Sequence, residues 1–151
     1  MLANVVDVSV IDVSLIFVTV SPTARTIEPE SETEVASVTE LMRANLLEVF
    51  NERDDAARRT AIARTYTPDV TFSDPEEVVT GHDALNAKAQ RLLDQAPDFV
   101  FRPMGAILVN HDLGYLAWGF GPEGGEPVVR GLDIALVDDG LIRSIYPLLT
   151  D

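Results

Sequence analysis

Tyr66-Thr-Pro-Asp-Val-Thr-Phe-Ser-Asp-Pro75 leaves a helical pattern and enters a strand pattern within ten residues. The chain turns at Pro68-Asp69, runs a short strand through Val70 and Phe72, and stops at Asp74-Pro75, because proline has no N–H to continue a ladder. A carboxylate is thereby delivered to a strand end. Upstream, Val38, Leu41, Met42, Leu46, Val49 and Phe50 recur at helical spacing and predict a first helix running through Arg53. Asn45 falls inside that apolar stripe, so its amide must be hydrogen-bonded or face a cavity. Asp54-Asp55 caps a second helix, Ala56 to Tyr66, with acids at its positive end. Arg58-Arg59 is too short for a basic patch and reads as part of a solvated helix face. Downstream, Thr80-Gly81-His82-Asp83 opens a third helix with Leu85, Ala89, Leu92 and Ala96 on one side; His82 at its start reads as a surface residue.

The remainder is β in pattern. Strands are predicted at Phe99–Val109, Tyr115–Phe120, Val128–Val137 and Leu141–Leu149. They are separated by a turn containing His111, a Gly- and Pro-rich loop from Gly121 to Pro127, and a hairpin at Asp138-Asp139-Gly140. Three helices followed by a four-stranded antiparallel meander predict an α+β architecture with the helices on one face. Within Val128–Val137 one side carries Gly131, Asp133, Ala135 and Val137, the other Leu132, Ile134 and Leu136. Both sides are apolar. One packs on the helices; the other needs a second cover, and a homodimer is the expectation.

Bulk composition narrows the function. The chain has 151 residues and a net charge of −14, and ten of its eleven basic residues are Arg. Such an acidic chain is expected to bind neither nucleic acid nor an anionic membrane, which require clustered cations. No cysteine is present and only two histidines, so disulfides, thiolate catalysis, a metal site and a cofactor are not expected. Val5–Val20 is β-branched but interrupted by Asp7 and Asp12, with no Lys or Arg ahead of it. It therefore lacks the form of a secretory signal, is too polar for a membrane span, and leaves a cytoplasmic protein as the expectation. Residues 21–37 read as a flexible acidic linker. Residues 1–37 are expected to be dispensable for folding of the 38–151 domain, as a start upstream of the true domain or as a functional arm.

Residues 38–151 resemble the SnoaL-like branch of the nuclear transport factor 2-like superfamily. The resemblance rests on Phe50-Asn-Glu-Arg-Asp54, Tyr66 to Pro75, Gly81-His-Asp-Ala-Leu85 and Asp139-Gly-Leu-Ile-Arg-Ser-Ile-Tyr146. It implies a cone-like α+β barrel, with three N-terminal helices packed in the concave face of a curved antiparallel sheet. Relatives include ketosteroid isomerases, polyketide cyclases, limonene-type epoxide hydrolases and many non-catalytic proteins. In ketosteroid isomerases the base is an Asp in an Asp-Pro ending the first strand, which Asp74 matches. A second, protonated Asp donates to the oxyanion from a core-facing strand position, which Asp133 resembles. Their companion Tyr on the first helix is absent, its position falling near Leu46. The epoxide hydrolases need Arg and Asp two apart on one strand. Arg130 and Asp133 are three apart, on opposite faces unless a bulge intervenes.

The resemblance thus implies Asp74 as general base on an apolar, polycyclic or terpenoid substrate, with Asp133 and Asn45 orienting it or stabilising an oxyanion. Tyr66, Trp118 and Tyr146 are the candidate substrate contacts. Simpler roles stand beside these: Asp74 capping a turn, Asp133 pairing with Trp118 or Asn45, and the aromatic residues filling the core. The alternative function is a non-catalytic dimer that binds an apolar ligand or serves as a scaffold.

Overall fold

Ser37 opens the first helix of the computed structural model, which describes residues 35–150. The Val-rich stretch and the linker up to residue 34 lie outside the described residues. The Ser37 Oγ accepts from the Glu40 N–H while the Glu40 carboxylate accepts from the Ser37 N–H, a reciprocal cap that fixes the start of α1, Val38–Ala44. From Asn45 to Phe50 the helix widens into a π-helical turn. Such turns are rare, and this one buries Asn45, Leu46, Val49 and Phe50 together. Asn51 ends it by pairing with both backbone groups of Phe101, at 2.8 and 2.7 Å. Arg53 donates to the Leu93, Ala96 and Phe99 carbonyls.

Asp54 caps α2, Asp55–Thr65, through the Ala57 N–H. The chain then passes without a loop into β1, Tyr66–Ser73, four residues earlier than the sequence suggests, because Tyr66 is already extended. A short strand β2, Val78–Thr80, pairs antiparallel with β1; three residues give too little alternation to be read from sequence. Helix α3 is His82–Gln95.

Phe99–Val109 divides into β3, Phe99–Pro103, and β4, Leu108–Asn110, on either side of Gly105 at φ 90°. Both pair with β5, Leu113–Pro122, which pairs with β6, Val129–Asp138, and that with β7, Leu141–Thr150. The β6–β7 turn places Asp139 and Gly140 at φ 49° and 76°, the left-handed pair that a tight two-residue hairpin requires. The four-stranded meander is present, and β1 joins it by lying parallel to β7. The result is a curved, unclosed, mixed sheet of seven strands in the order β2-β1-β7-β6-β5-β3, with β4 beside β5 and the helices on its concave side.

Two surface assignments are corrected. Arg58 is fully buried between α2 and α3, where Asn86, Gln90, Asp55 and the Glu52 carbonyl accept from its guanidinium. His82 is half-buried, with Nε2 at 3.0 Å from both the Tyr66 and Thr67 carbonyls. Two carbonyls can only accept, so that nitrogen carries the hydrogen. His111 lies exposed in its turn at φ 53°. On the convex face Leu132, Ile134 and Leu136 are half-buried, and Tyr146 and Leu148, beside Ile134 and Leu132, are exposed.

Candidate functional site

Alternation along β6 turns Gly131, Asp133 and Ala135 to the concave side. Asp133 is 5% exposed and accepts two hydrogen bonds, from Trp118 Nε1 to Oδ1 and from Asn45 Nδ2 to Oδ2, each 2.8 Å. The Tyr66 hydroxyl donates in turn to Asn45 Oδ1 at 2.5 Å. Sequence positions 45, 66, 118 and 133 thus converge on one carboxylate. Each is delivered by a local device. The π-helical turn carries Asn45 inward, and the helix-to-strand switch sets Tyr66 behind it. Gly131 lies opposite Trp118 on the neighbouring strand, and a Cβ there would overlap the indole ring. Only glycine lets the indole lie across β6 and reach Asp133.

Electrostatically the carboxyl is unusual. Burial pushes Asp133 up to about 6, although Trp118 and Asn45 both donate to its ionised form and pull the other way. Burial, with a smaller contribution from the Asp133 charge, raises the Tyr66 phenol well above its ordinary value. Tyr66 therefore remains a neutral donor.

A cavity of about 230 Å³ opens onto Asp133. Leu46, Phe50, Phe72, Phe101 and Trp118 form its apolar wall, and Asp74, Glu77, Lys88 and Arg91 stand where it meets solvent. Phe101 packs edge-on against both Phe50 and Trp118, so the wall is an interlocked aromatic set. Asn45 and Tyr66 do not reach the cavity; they hold Asp133 from behind. Among the described residues no group of three or more His, Asp or Glu is arranged to hold a metal ion.

Asp74 lines the cavity too, but as a bound group. Its Oδ1 accepts from the Glu76 and Glu77 N–H groups, the turn-capping role open to an Asp before Pro, and its Oδ2 is 2.5 Å from Lys88 Nζ. Burial alone would raise its pKa; the Lys88 ammonium and the two backbone donors overcome this and hold it below the usual carboxylate range. A carboxylate so stabilised is a poor proton acceptor, which weighs against the role of base. Tyr146 requires a correction: it is 41% exposed and pairs with Ile134 on the convex face, away from the cavity. Arg130 is likewise exposed, and no register shift lies between it and Asp133, so the Arg–Asp pair of an epoxide hydrolase is not formed.

Lys88, which sequence reasoning passed over, organises the mouth. It is nearly buried and contacts Asp74, Glu77 and, at 3.5 Å, Glu76. Its signal was available: the chain's only lysine sits between Leu85 and Leu92 on the apolar side of α3. Lys88→Met is expected to cost about 2 kcal/mol at pH 7, between the values of exposed and fully buried pairs. Asp74 has a depressed pKa, so its pairing stabilises above the ordinary carboxylate range and is lost as the pH falls through the folded value. The cost of Lys88→Met should therefore shrink toward pH 3 in urea titrations, and a pH-independent difference would contradict the ion pair.

A family model described as SnoaL-like domain matches residues 44–145. No curated protein matches the chain. Among solved structures, a SnoaL-like family protein from Agrobacterium tumefaciens with a provisional isomerase assignment aligns at 19% identity and TM-score 0.69, over 74% of this chain and 95% of that one. A provisionally assigned polyketide cyclase from Sinorhizobium meliloti aligns at 16% identity and TM-score 0.60, over 77% and 100%. TsrD from Streptomyces laurentii aligns at 24% identity and TM-score 0.58, over 78% and 91%. At these identities the likeness is one of fold.

Proposed function

This chain belongs to the SnoaL-like domain family, and on that premise we propose that it is a cofactor-independent isomerase or cyclase that moves a proton within an apolar carbonyl compound, with Asp133 as the acid–base group. The observation that carries the reading is a buried carboxyl, poised at about 6, on the wall of an aromatic cavity. A base that accepts a proton and returns it works best with a pKa near the working pH. Each Asp133 oxygen accepts one fixed donor and keeps a second lone pair. In the forward step that lone pair takes a proton from the carbon next to the substrate carbonyl, and the C–H electrons form the enolate. Returning the proton at a distant carbon moves a double bond; alternatively the enolate carbon attacks a second carbonyl, whose π electrons become an alkoxide that takes the proton back from Asp133, and a ring is closed. Neither outcome changes the oxidation state overall.

The test is conversion of a small β,γ-unsaturated ketone such as 3-cyclohexenone to its conjugated isomer, followed by ultraviolet absorbance. Turnover that falls below a midpoint near pH 6 is expected, because only ionised Asp133 accepts a proton. Absence of turnover with ligands that do bind would favour the second reading, a non-catalytic ligand-binding domain. That reading draws on the Asp74–Lys88 pair, which leaves one carboxylate rather than two for chemistry.

The proposal includes a homodimer. The convex row Tyr115, Ile134 and Tyr146, with Leu132 and Leu148 beside it, is a half-buried to exposed apolar surface among the described residues. Light scattering should give twice the 16.5 kDa chain mass, and Ile134→Glu should yield monomer or insoluble protein. A monomeric unmutated chain would remove the dimer from the proposal.

A further inference from the structure

We infer that the molecule taken by this site carries no negative charge and is no larger than one or two fused rings. The inference rests on the acid–base reading of the same cavity and narrows it, since the fold's relatives suggest polycyclic substrates. Size is the first argument. A cavity of about 150 Å³ with apolar walls holds a benzene molecule, whereas pockets for drug-sized ligands run from about 300 Å³ upward. At about 230 Å³ this cavity lies between them. Its walls cannot easily withdraw: Leu46, Phe50 and Phe101 are nearly fully buried, and Phe101 also stacks on Phe120. A four-ring molecule would have to displace that aromatic set or leave part of its apolar surface outside in water.

Charge is the second argument. Both cations lining the cavity already have carboxylate partners. Lys88 is bound to Asp74 and Glu77 and Arg91 to Glu77, while Asp133 is held by the neutral donors Trp118 and Asn45. An anionic ligand would lose its hydration, meet no unengaged cation and face the Asp133 carboxylate, a net cost. A neutral ring system loses little by leaving water and gains contact with Phe72, Phe101 and Trp118.

Trp118 is the only tryptophan of the chain and lines the cavity, so its emission reports occupancy directly. The experiment titrates the full chain at pH 7.5 with 1-indanone, its anionic analogue indane-1-carboxylate, and a four-ring ketosteroid, with calorimetry as a second readout. Saturable quenching by 1-indanone is expected, with the carboxylate analogue at least tenfold weaker and no saturable binding of the steroid. Leu92→Phe, which narrows the cavity, should weaken 1-indanone at least tenfold; Leu149→Phe at the rim serves if that variant does not fold. The carboxylate analogue or the steroid binding as tightly as 1-indanone overturns the inference, as does failure of 1-indanone to bind. The ligand-free pH titration of Trp118 emission separates this from the acid–base reading. A midpoint near 6 with the steroid bound tightly sinks the size limit alone. A midpoint below about 4.5 with 1-indanone bound selectively sinks the role of Asp133 alone.

Discussion

Replacing Asp133 with Asn is expected to lower turnover by roughly two to four orders of magnitude, the range for loss of a general acid–base group, while making the fold more tolerant of neutral and alkaline pH. The substitution keeps shape and burial. The new amide oxygen accepts from Trp118, and Asn45 can turn its own oxygen to the new NH₂ while its nitrogen donates to the Tyr66 hydroxyl. What disappears is the cost of a buried charge. The Asp133 carboxyl stands at about 6 in the fold against an ordinary 3.8. The folded state therefore holds its proton to higher pH than the unfolded chain does. That stabilisation is complete below the unfolded value and lost as the pH rises through 6, at a cost of about 3 kcal/mol over the interval. The variant has no such loss. Urea midpoints measured from pH 4 to 7.5 should thus rise for Asp133→Asn relative to the unmutated chain. Parallel curves for the two proteins would mean that the carboxyl titrates as an ordinary surface acid.

Strand alternation put Asp133 on one face with Gly131 and Ala135, the resemblance implied that this face is the core, and in the fold it is buried. Asn45 was legible for the same reason on a helix. Tyr146 could not be placed by alternation, which fails locally. From Ile142, strict alternation would send Ser144 and Tyr146 inward. An extra residue at Arg143, where the β6–β7 register shifts, makes Ile145 and Pro147 the inward pair and turns Tyr146 out. The π-helical turn adds less than a residue per turn over six residues, too little for periodicity to resolve. Lys88 and Arg58 were hidden by habit rather than by a lack of signal. Both lie on the apolar side of their helices, but a charge there reads as solvated until partners such as Asp74, 14 residues from Lys88, or Gln90, 32 from Arg58, are brought beside it. The Asp74-Pro75 match was sound as to place and weak as to role. Sequence put the carboxylate at the strand end, and only the fold showed a lysine engaging it.

Arg58→Ala is expected to be the most damaging single change to stability, about 3–5 kcal/mol, the range for removing one partner of a buried charged network. The guanidinium is fully buried and acts as a fork between elements. Nε donates to Asn86 Oδ1 and Nη1 to the Glu52 carbonyl, both at 2.7 Å, while Nη2 donates to Gln90 and, at 3.3 Å, to Asp55. Alanine would leave those acceptors facing a void, so desolvation and cavity costs add. Arg58→Met restores most of the stem volume without any donor and should recover part of the loss. Arg58→Lys keeps the charge but offers one compact head where a planar fork served several acceptors, and should remain well below the unmutated protein. Asn86 and Gln90 belong to α3, the helix that also carries Lys88, Arg91 and Leu92 to the cavity. The packing defect should therefore weaken 1-indanone binding in whatever fraction stays folded. Urea unfolding of the three variants checks the order Ala, then Met and Lys, then unmutated. A loss below about 1 kcal/mol for Arg58→Ala would mean that the guanidinium reaches water and that α2 and α3 are joined by their apolar contacts alone.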